Sequence, residues 1–195
     1  ISVQRKIILL EGYLDVIRVR EAGFTYVAAS LGTSLTEEHI RLFPGSTNRR
    51  RLRVYISTDD DDAGWKSAWR SSRLIFACRP DAEVRIARPI DGLDPDELIL
   101  KYGPDAFQSV LDRAVTPLAR HLMDVRESTA SLRLKSVTDV LRDAPRLLSP
   151  SVEDHQRDIE FLQQWLREQC KVHIPINKLI SIVEERVERN TVTDE

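Results

Sequence analysis

The first part of the chain alternates short apolar runs, rich in β-branched residues, with amphipathic stretches. Apolar runs bounded by turn residues predict strands, and apolar residues repeated at helical spacing predict helices. The predicted strands lie at 6–10, 24–29, 51–57 and 83–87, and the predicted helices at 13–22, 34–43 and 64–77. Strands and helices that alternate in this way build a parallel sheet covered by helices. We therefore expect an α/β fold with a doubly wound, mostly parallel sheet.

Turn and capping residues support several of these boundaries. Gly23 follows the first predicted helix at the position where glycine commonly ends one. Ser34-Leu-Thr-Glu37 has the form of a capping box, which predicts a helix start at Ser34, and Pro44-Gly45 ends that helix.

Beyond Pro104 the pattern changes to helices alone. Apolar residues recur at helical spacing in the stretches 106–114, 118–126, 132–142, 152–171 and 177–189. In the fourth stretch they form one stripe, from Ile159 to Leu166, as expected of a helix that packs on a core. We therefore predict two domains, a sheet-containing domain over 1–112 and an all-α helical subdomain over 113–195.

The composition excludes several classes of protein. Hydrophobic residues make up 42% of the 195 residues, which is enough for a core, and 29 Lys and Arg against 31 Asp and Glu leave a net charge of −2. Contact with a polyanion must therefore be local. Cys78 and Cys170 lack the spacing of zinc ligands and fit a reduced, cytoplasmic protein. We expect no zinc site.

Two further features bear on cellular context. No apolar stretch is long enough to cross a membrane, and no signal-peptide pattern is present, so we expect a soluble protein without a membrane partner. The chain starts at Ile1 rather than Met and enters a predicted strand almost at once. We therefore expect it to be a fragment of a longer protein.

Acidic residues follow two of the predicted strands. Glu11 comes directly after the first strand, and the run Asp59 to Asp62 follows the third. Open α/β sheets bind ligands at the carboxyl ends of their strands. Carboxylates held close together repel, and a divalent cation such as Mg²⁺ relieves that repulsion. Glu11, Asp59 and Asp61 are the candidate ligands, because alternate residues of an extended chain point to the same side; the alternative is a solvated acidic loop.

Other acids have two possible interpretations each. Asp15 lies one helical turn after Glu11 and either faces the same crevice or complements the dipole of its helix. Asp94-Pro-Asp-Glu97 combines an acidic cap, a proline at the first helical position and an acid at the third. On this pattern alone, a helix start is favoured over a ligand site.

Candidate anion-binding residues are less specific. Gly32 and Thr33 lie in a predicted turn whose N–H groups suit either a phosphate or a helix cap. Lys66, one turn into the helix after the acids, either meets a phosphate or balances their charge. The basic run 49–53 is interpreted as a solvated loop and strand edge, with contact to nucleic acid as the alternative.

Four segments together resemble the Toprim core of bacterial DnaG-type primases. In chain order they are Glu11-Gly-Tyr-Leu-Asp-Val-Ile17, Ala29-Ser-Leu-Gly-Thr-Ser-Leu-Thr-Glu-Glu38, Asp59-x-Asp61-x-Ala-Gly64 with Lys66, and Asp94-Pro-Asp-Glu-Leu98. The first two are specific to this family, whereas a glutamate with Asp-x-Asp is shared with topoisomerases, recombination mediators and Toprim nucleases. A weaker resemblance continues over 114–123 and 152–166, so it covers most of the chain. The resemblance assigns 1–112 as a Toprim domain.

The resemblance implies a site and a reaction. The catalytic, metal-binding acids that it implies are Glu11, Asp59 and Asp61, and the further metal ligands are Asp15, Asp94 and Asp96. For Asp94 and Asp96 the resemblance therefore favours a ligand site, whereas the sequence pattern alone favours a helix start. The implied enzyme is a DNA-directed RNA polymerase that uses Mg²⁺ or Mn²⁺ to join ribonucleoside triphosphates into a short RNA primer on single-stranded DNA during replication. Lys66, Gly32 and Thr33 would bind nucleotide or nucleic acid, and a replicative helicase would be a partner of the parent protein.

The chain departs from the family pattern in three ways. Ser57-Thr58 stands where these primases usually carry an aromatic residue, and Asp60 and Asp62 add charge. The zinc-binding module and the basic subdomain that precede Toprim are also absent from this sequence, so primer synthesis is expected to need them. The alternatives are a Toprim nuclease, a phosphoacceptor receiver domain and an inactive binding fragment. Cleavage of DNA, labelling by a phosphodonor, or neither would distinguish these three.

Overall fold

The computed structural model describes residues 6–30, 34–45, 51–59, 61–88, 90–128 and 134–193. The chain divides into two compact units, Ile1–Val115 and Thr116–Glu195. No helix in the described ranges is long and apolar enough to cross a membrane.

The first unit is built on a four-stranded parallel sheet. Its strands are β1 (Lys6–Leu10), β2 (Val27–Ala29), β3 (Arg53–Ile56) and β4 (Glu83–Ile86), in the order β2-β1-β3-β4. In the two central strands Leu9 lies opposite Ile56, and the Ser57 N–H donates to the Leu9 carbonyl at 2.9 Å. The carboxyl ends of β1 and β3 therefore lie side by side at one edge of the sheet.

Five helices accompany this sheet in the described ranges. They are α1 (Tyr13–Glu21), α2 (Glu37–Arg41), α3 (Asp62–Cys78), α4 (Pro95–Tyr102) and α5 (Pro104–Asp112). The alternation of strands and helices confirms the expected α/β class with a parallel sheet.

Alternate residues of the central strands belong to different hydrophobic clusters. Leu9 and Ile56 belong to a buried cluster with residues of α2 and α3, including Ile75. Ile8 and Tyr55 belong to a second cluster with residues of α1, α4 and α5. Because successive side chains of a strand point to opposite faces, the sheet is covered on both faces. Burial on both sides explains why β1 is a continuous apolar run after Lys6.

Some predicted boundaries were wrong in detail. The predicted box at Ser34 is not the helix start: α2 begins after Thr36, whose hydroxyl accepts the His39 N–H at 3.4 Å. Three predicted strands were too long, since β2 starts at Val27, β3 spans Arg53–Ile56 and β4 ends at Ile86. The turn and edge residues outside these bounds do not belong to the strands.

The second unit is all-α in its described ranges, as predicted. Its helices are α6 (Pro117–Ser128), α7 (Leu134–Asp143), α8 (Val152–Cys170) and α9 (Ile176–Thr193), with a short 3₁₀ turn at Ala144–Arg146. The predicted stripe of α8 is buried, from Ile159 to Leu166. Asp158, also buried, accepts hydrogen bonds from the Thr116 hydroxyl at 2.9 Å and the Ser149 N–H at 3.1 Å. It thereby ties α8 to the residue before α6.

The start of α3 requires a glycine. Asp61 precedes the helix in an extended conformation, and its Oδ1 accepts the Gly64 N–H at 2.7 Å. Gly64 is buried, and a Cβ on it would lie 2.2 Å from the Asp59 carbonyl oxygen and 3.0 Å from the carbonyl carbon. Both atoms belong to the backbone, so a side chain at position 64 would displace the loop that carries the acids.

We expect Gly64→Ala to lower the free energy of unfolding by about 1–3 kcal/mol, the usual cost of inserting a carbon into packed structure. Urea denaturation followed by circular dichroism would measure it. Gly45→Ala is the matched control, because a Cβ there meets nothing within 4 Å, and we expect it to change stability by less than about 0.5 kcal/mol. Equal stability of the two variants would contradict the close approach at Gly64.

Candidate metal-binding site

Glu11 and the aspartate loop meet at the edge of the sheet. Glu11 is partly buried directly after β1, and its Oε1 accepts the Asp59 N–H at 3.0 Å. Asp59 is exposed and lies three residues beyond the end of β3. The parallel pairing of β1 with β3 produces this contact, which joins residues 48 positions apart in the chain.

Asp61 reaches this edge by a different route from the one expected. Since β3 ends at Ile56, the period of two that placed Asp59 and Asp61 on one side of a strand does not apply. Asp61 is instead the N-cap of α3, and its Oδ1 is held by the Gly64 N–H. Asp62 is the first residue of that helix and is exposed, and Asp60 lies outside the described residues.

Asp15 connects the starts of two helices. It lies in the first turn of α1, where its Oδ2 accepts the Gly12 N–H at 3.3 Å. Its Oδ1 accepts the Asp96 N–H, at the start of α4, also at 3.3 Å. Asp15 therefore supports the start of its own helix and also contacts the segment that carries Asp94 and Asp96.

Asp94 and Asp96 have different contacts. Asp94 Oδ1 accepts the Glu97 N–H at 2.7 Å, and the Glu97 carboxylate accepts the Asp94 N–H at 3.4 Å, which confirms the helix start seen in the sequence. Asp96 Oδ1 accepts a hydrogen bond from Arg18 Nε at 2.7 Å.

Sequence reasoning missed Arg18. Its position three residues after Asp15 was the only local signal, and nothing in the sequence pointed to a partner 78 residues away.

The acids form one electrostatic cluster. Burial raises the pKa of Glu11, and the carboxylates of Asp59, Asp61 and Asp15 raise it further, although the Asp59 N–H opposes them. Burial also raises the pKa of Asp15, as do the carboxylates of Asp94 and Asp96, against the hydrogen bonds from two backbone N–H groups. Glu11 thus interacts with the aspartate loop on one side and with Asp15 on the other. The net effect on both groups is that ionisation is disfavoured, as crowded carboxylates require.

The donor set fits a hard cation. The acids that meet here offer only carboxylate oxygens, which Mg²⁺ and Mn²⁺ prefer and which leave zinc without its usual nitrogen or sulfur ligands. Among the described side chains, no three His, Cys, Asp or Glu are grouped as in a preformed metal site.

The remaining candidates are only partly described. Lys66 lies on α3 and is exposed, which leaves its ammonium group accessible to an anion. Gly32 and Thr33 lie outside the described residues, as do Arg49 and Arg50 of the basic run.

A cavity of about 330 Å³ borders Glu11. Most of its lining residues are apolar, among them Leu9 of β1, Ile56 of β3 and Phe43 after α2. The polar lining residues are Glu11, Ser30, His39, Thr58, Ser67 and Ser71. The acidic edge of the sheet therefore adjoins a space of the size and character of small-ligand pockets.

Comparison with known proteins finds a Toprim domain and similarity to DNA primases. Residues 5–88 match the sequence profile of the Toprim domain. The DNA primase of Escherichia coli K12 is 36% identical over 120 residues, which are 61% of this chain and 20% of that protein. The DNA primase of Listeria monocytogenes is 31% identical over 185 residues, 88% of this chain and 29% of that protein. The chain thus spans less than a third of the length of these curated relatives.

Solved structures agree in fold. The Escherichia coli primase catalytic core is 26% identical with a TM-score of 0.64, covering 85% of this chain and 53% of that one. A DnaG primase catalytic domain bound to single-stranded DNA is 24% identical with a TM-score of 0.65, covering 88% of this chain and 55% of that one. The sheet order, the acidic strand ends and these similarities lead to one assignment: residues 5–88 form a Toprim domain, and the chain is similar to the catalytic cores of DnaG-type primases.

Proposed function

We propose that this chain carries the catalytic acids of a DNA primase, which joins ribonucleoside triphosphates into a short RNA primer on a single-stranded DNA template. The observation that carries the proposal is the meeting of Glu11 with the Asp59 loop at the carboxyl ends of β1 and β3. Similarity to DNA primases supports the reaction type. Because the chain spans only part of its relatives, the complete activity is expected to need upstream zinc-binding and basic regions.

The acids have proposed roles in this reaction. Glu11, Asp59 and Asp61 would hold the catalytic Mg²⁺ or Mn²⁺, and Asp15, Asp94 and Asp96 would extend the acidic set. The bound cation would neutralise triphosphate oxygens and the charge that develops on the leaving pyrophosphate. The protein's own contribution is placement. The Asp59 N–H orients the Glu11 carboxylate, and the start of α3 orients Asp61.

The remaining proposals concern substrates and context. Lys66, with Gly32 and Thr33, would contact phosphates of the nucleotide or the nucleic acid. The attacking group would be a sugar 3′-hydroxyl, so no protein nucleophile is required. We also propose that 1–112 is the Toprim domain and 113–195 the helical subdomain. The parent protein would have a replicative helicase as a partner. It would act in the cytoplasm, where bacterial DNA is replicated.

Cation binding is the most direct prediction. We expect calorimetric titration of Mn²⁺ into this chain, with and without a ribonucleoside triphosphate, to show saturable binding. The Asp59→Asn, Asp61→Asn double variant should bind roughly tenfold or more weakly, because two anionic ligands are lost. Asparagine is also a good N-cap, so the start of α3 should be kept.

Asp105→Asn is the control for this titration. Asp105 is an exposed acid in the first turn of α5, and its substitution removes one negative charge, as each substitution of the double variant does. It should leave Mn²⁺ affinity nearly unchanged. Identical weak heats in wild type and double variant would reject the metal site.

Neutralising Glu11 should stabilise the metal-free protein. Because its pKa is raised on folding, the folded protein keeps the Glu11 proton to a higher pH than the unfolded chain does. The stability that protonated Glu11 contributes is fully present below the ordinary pKa of a glutamate. It is lost as the pH rises through the pKa of Glu11 in the folded protein. Glu11→Gln keeps an oxygen for the Asp59 N–H and carries no charge. We expect it to raise the free energy of unfolding at pH 7 in EDTA by up to about 1 kcal/mol.

Thermal melts at pH 7 and pH 4 would test this expectation, with the gain shrinking at pH 4. Glu184→Gln, an exposed acid on α9, serves as the control and should have no such pH-dependent gain. Added Mn²⁺ should stabilise the wild type more than Glu11→Gln. A variant less stable than wild type at both pH values would contradict the inference that ionised Glu11 is repelled by the neighbouring carboxylates.

A chimaera would test the proposed activity in the context of a complete primase. We expect a chimaera in which this chain replaces the matching segment of the Escherichia coli DNA primase to synthesise primers on single-stranded DNA with Mg²⁺ or Mn²⁺. The same chimaera with Asp59→Asn and Asp61→Asn should yield none above background. Cleavage of the template without ribonucleotide incorporation would instead indicate a Toprim nuclease.

A further inference from the structure

Arg18 forms an ion pair with Asp96, one of the clustered acids. Its Nε lies 2.7 Å from Asp96 Oδ1, and both side chains are about two-thirds buried, with exposed fractions of 34% and 29%. Arg18 also reaches Glu21 at 3.2 Å, but that carboxylate is 62% exposed. The hydrogen bond to Asp96 is the largest contribution that raises the pKa of Arg18. Asp96 is therefore its principal partner.

Helix α1 holds Asp96 at two points. The Asp96 N–H donates to Asp15, and the Asp96 carboxylate accepts from Arg18, which lies three residues after Asp15 on the same helix. Residues three apart on a helix share a face. The same face of α1 thus fixes both the backbone and the side chain of Asp96, and the orientation of this carboxylate depends on Arg18.

The two halves of the cluster differ in how their charge is balanced. In the described structure, the hydrogen bonds found for Glu11 and Asp61 come from backbone N–H groups, which carry only partial charge. Asp96 instead contacts a full positive charge that belongs to the protein. An added cation would relieve more repulsion at Glu11, Asp59 and Asp61 than at Asp96, because a cation at Asp96 must first compete with a guanidinium.

We propose that Arg18 is a positioning residue that competes with divalent cations for Asp96, and that it thereby concentrates cation binding on Glu11, Asp59 and Asp61. This inference rests on the proposed metal-dependent function. In wild-type protein Asp96 is a weak ligand, available to a cation only when the pair with Arg18 opens. Removing Arg18 converts it into a strong one.

Titration of Mn²⁺ into the whole chain tests the inference. Arg18→Gln should bind Mn²⁺ about three- to tenfold more tightly, or bind an additional equivalent, because one carboxylate is released. Arg20→Gln is the matched control. It removes the same charge from an exposed position two residues on, and should change the affinity by less than about twofold. Arg18→Lys, which keeps the charge, should restore most of the wild-type behaviour.

Asp96→Asn provides a second test that does not depend on the folding of the Arg18 variant. It should weaken Mn²⁺ binding less than Asp59→Asn does, because Asp96 is already paired with Arg18. It should also abolish the gain in affinity when combined with Arg18→Gln. A loss of affinity in Asp96→Asn as large as that in Asp59→Asn would overturn the inference, as would unchanged or weaker binding in folded Arg18→Gln. Absence of saturable Mn²⁺ binding in wild type would instead reject the proposed function itself.

Discussion

The site depends on the parallel pairing of β1 with β3. This pairing sets Leu9 beside Ile56 and so brings Glu11 to the loop that carries Asp59. A shift of one residue would turn every side chain of the moved strand to the opposite face and exchange the residues of the two hydrophobic clusters. Burial on both faces therefore fixes the register, and the register fixes the position of the acids. The chemistry of the edge follows from the packing of the sheet.

The same arrangement opposes the stability of the fold. Glu11 and Asp15 are partly buried among other carboxylates, and both have raised pKa values for that reason. The buried contact of Gly64 with the Asp59 backbone keeps the loop at this edge. A domain selected for stability alone would have dispersed these charges, because repulsion at short range is not repaid by the few backbone N–H groups available. The proposed cation site would account for the crowding.

Sequence reasoning succeeded where local pattern and fold topology act together. Apolar runs located β1 and β3, and the rule that parallel strands end at one edge placed Glu11 with the aspartates. It failed where the outcome depends on competition between similar neighbours or on distant partners. Ser34 and Thr36 both carry a hydroxyl, but Thr36 is the N-cap of α2, and His39 completes its capping box. No periodicity in the chain could have joined Arg18 to Asp96, because only the packed structure brings α1 to α4.

The acids show why a helix-start pattern does not argue against a ligand site. Asp15, Asp61 and Asp94 each give a carboxylate oxygen to an N–H at the start of a helix. A carboxylate has two oxygens and about four lone-pair directions, so one such bond leaves acceptor capacity for a cation. The cap also fixes the side chain, which lowers the entropy lost when a ligand binds. Capping is therefore compatible with the proposed cation binding at this edge, and the pattern Asp94-Pro-Asp-Glu97 allows both.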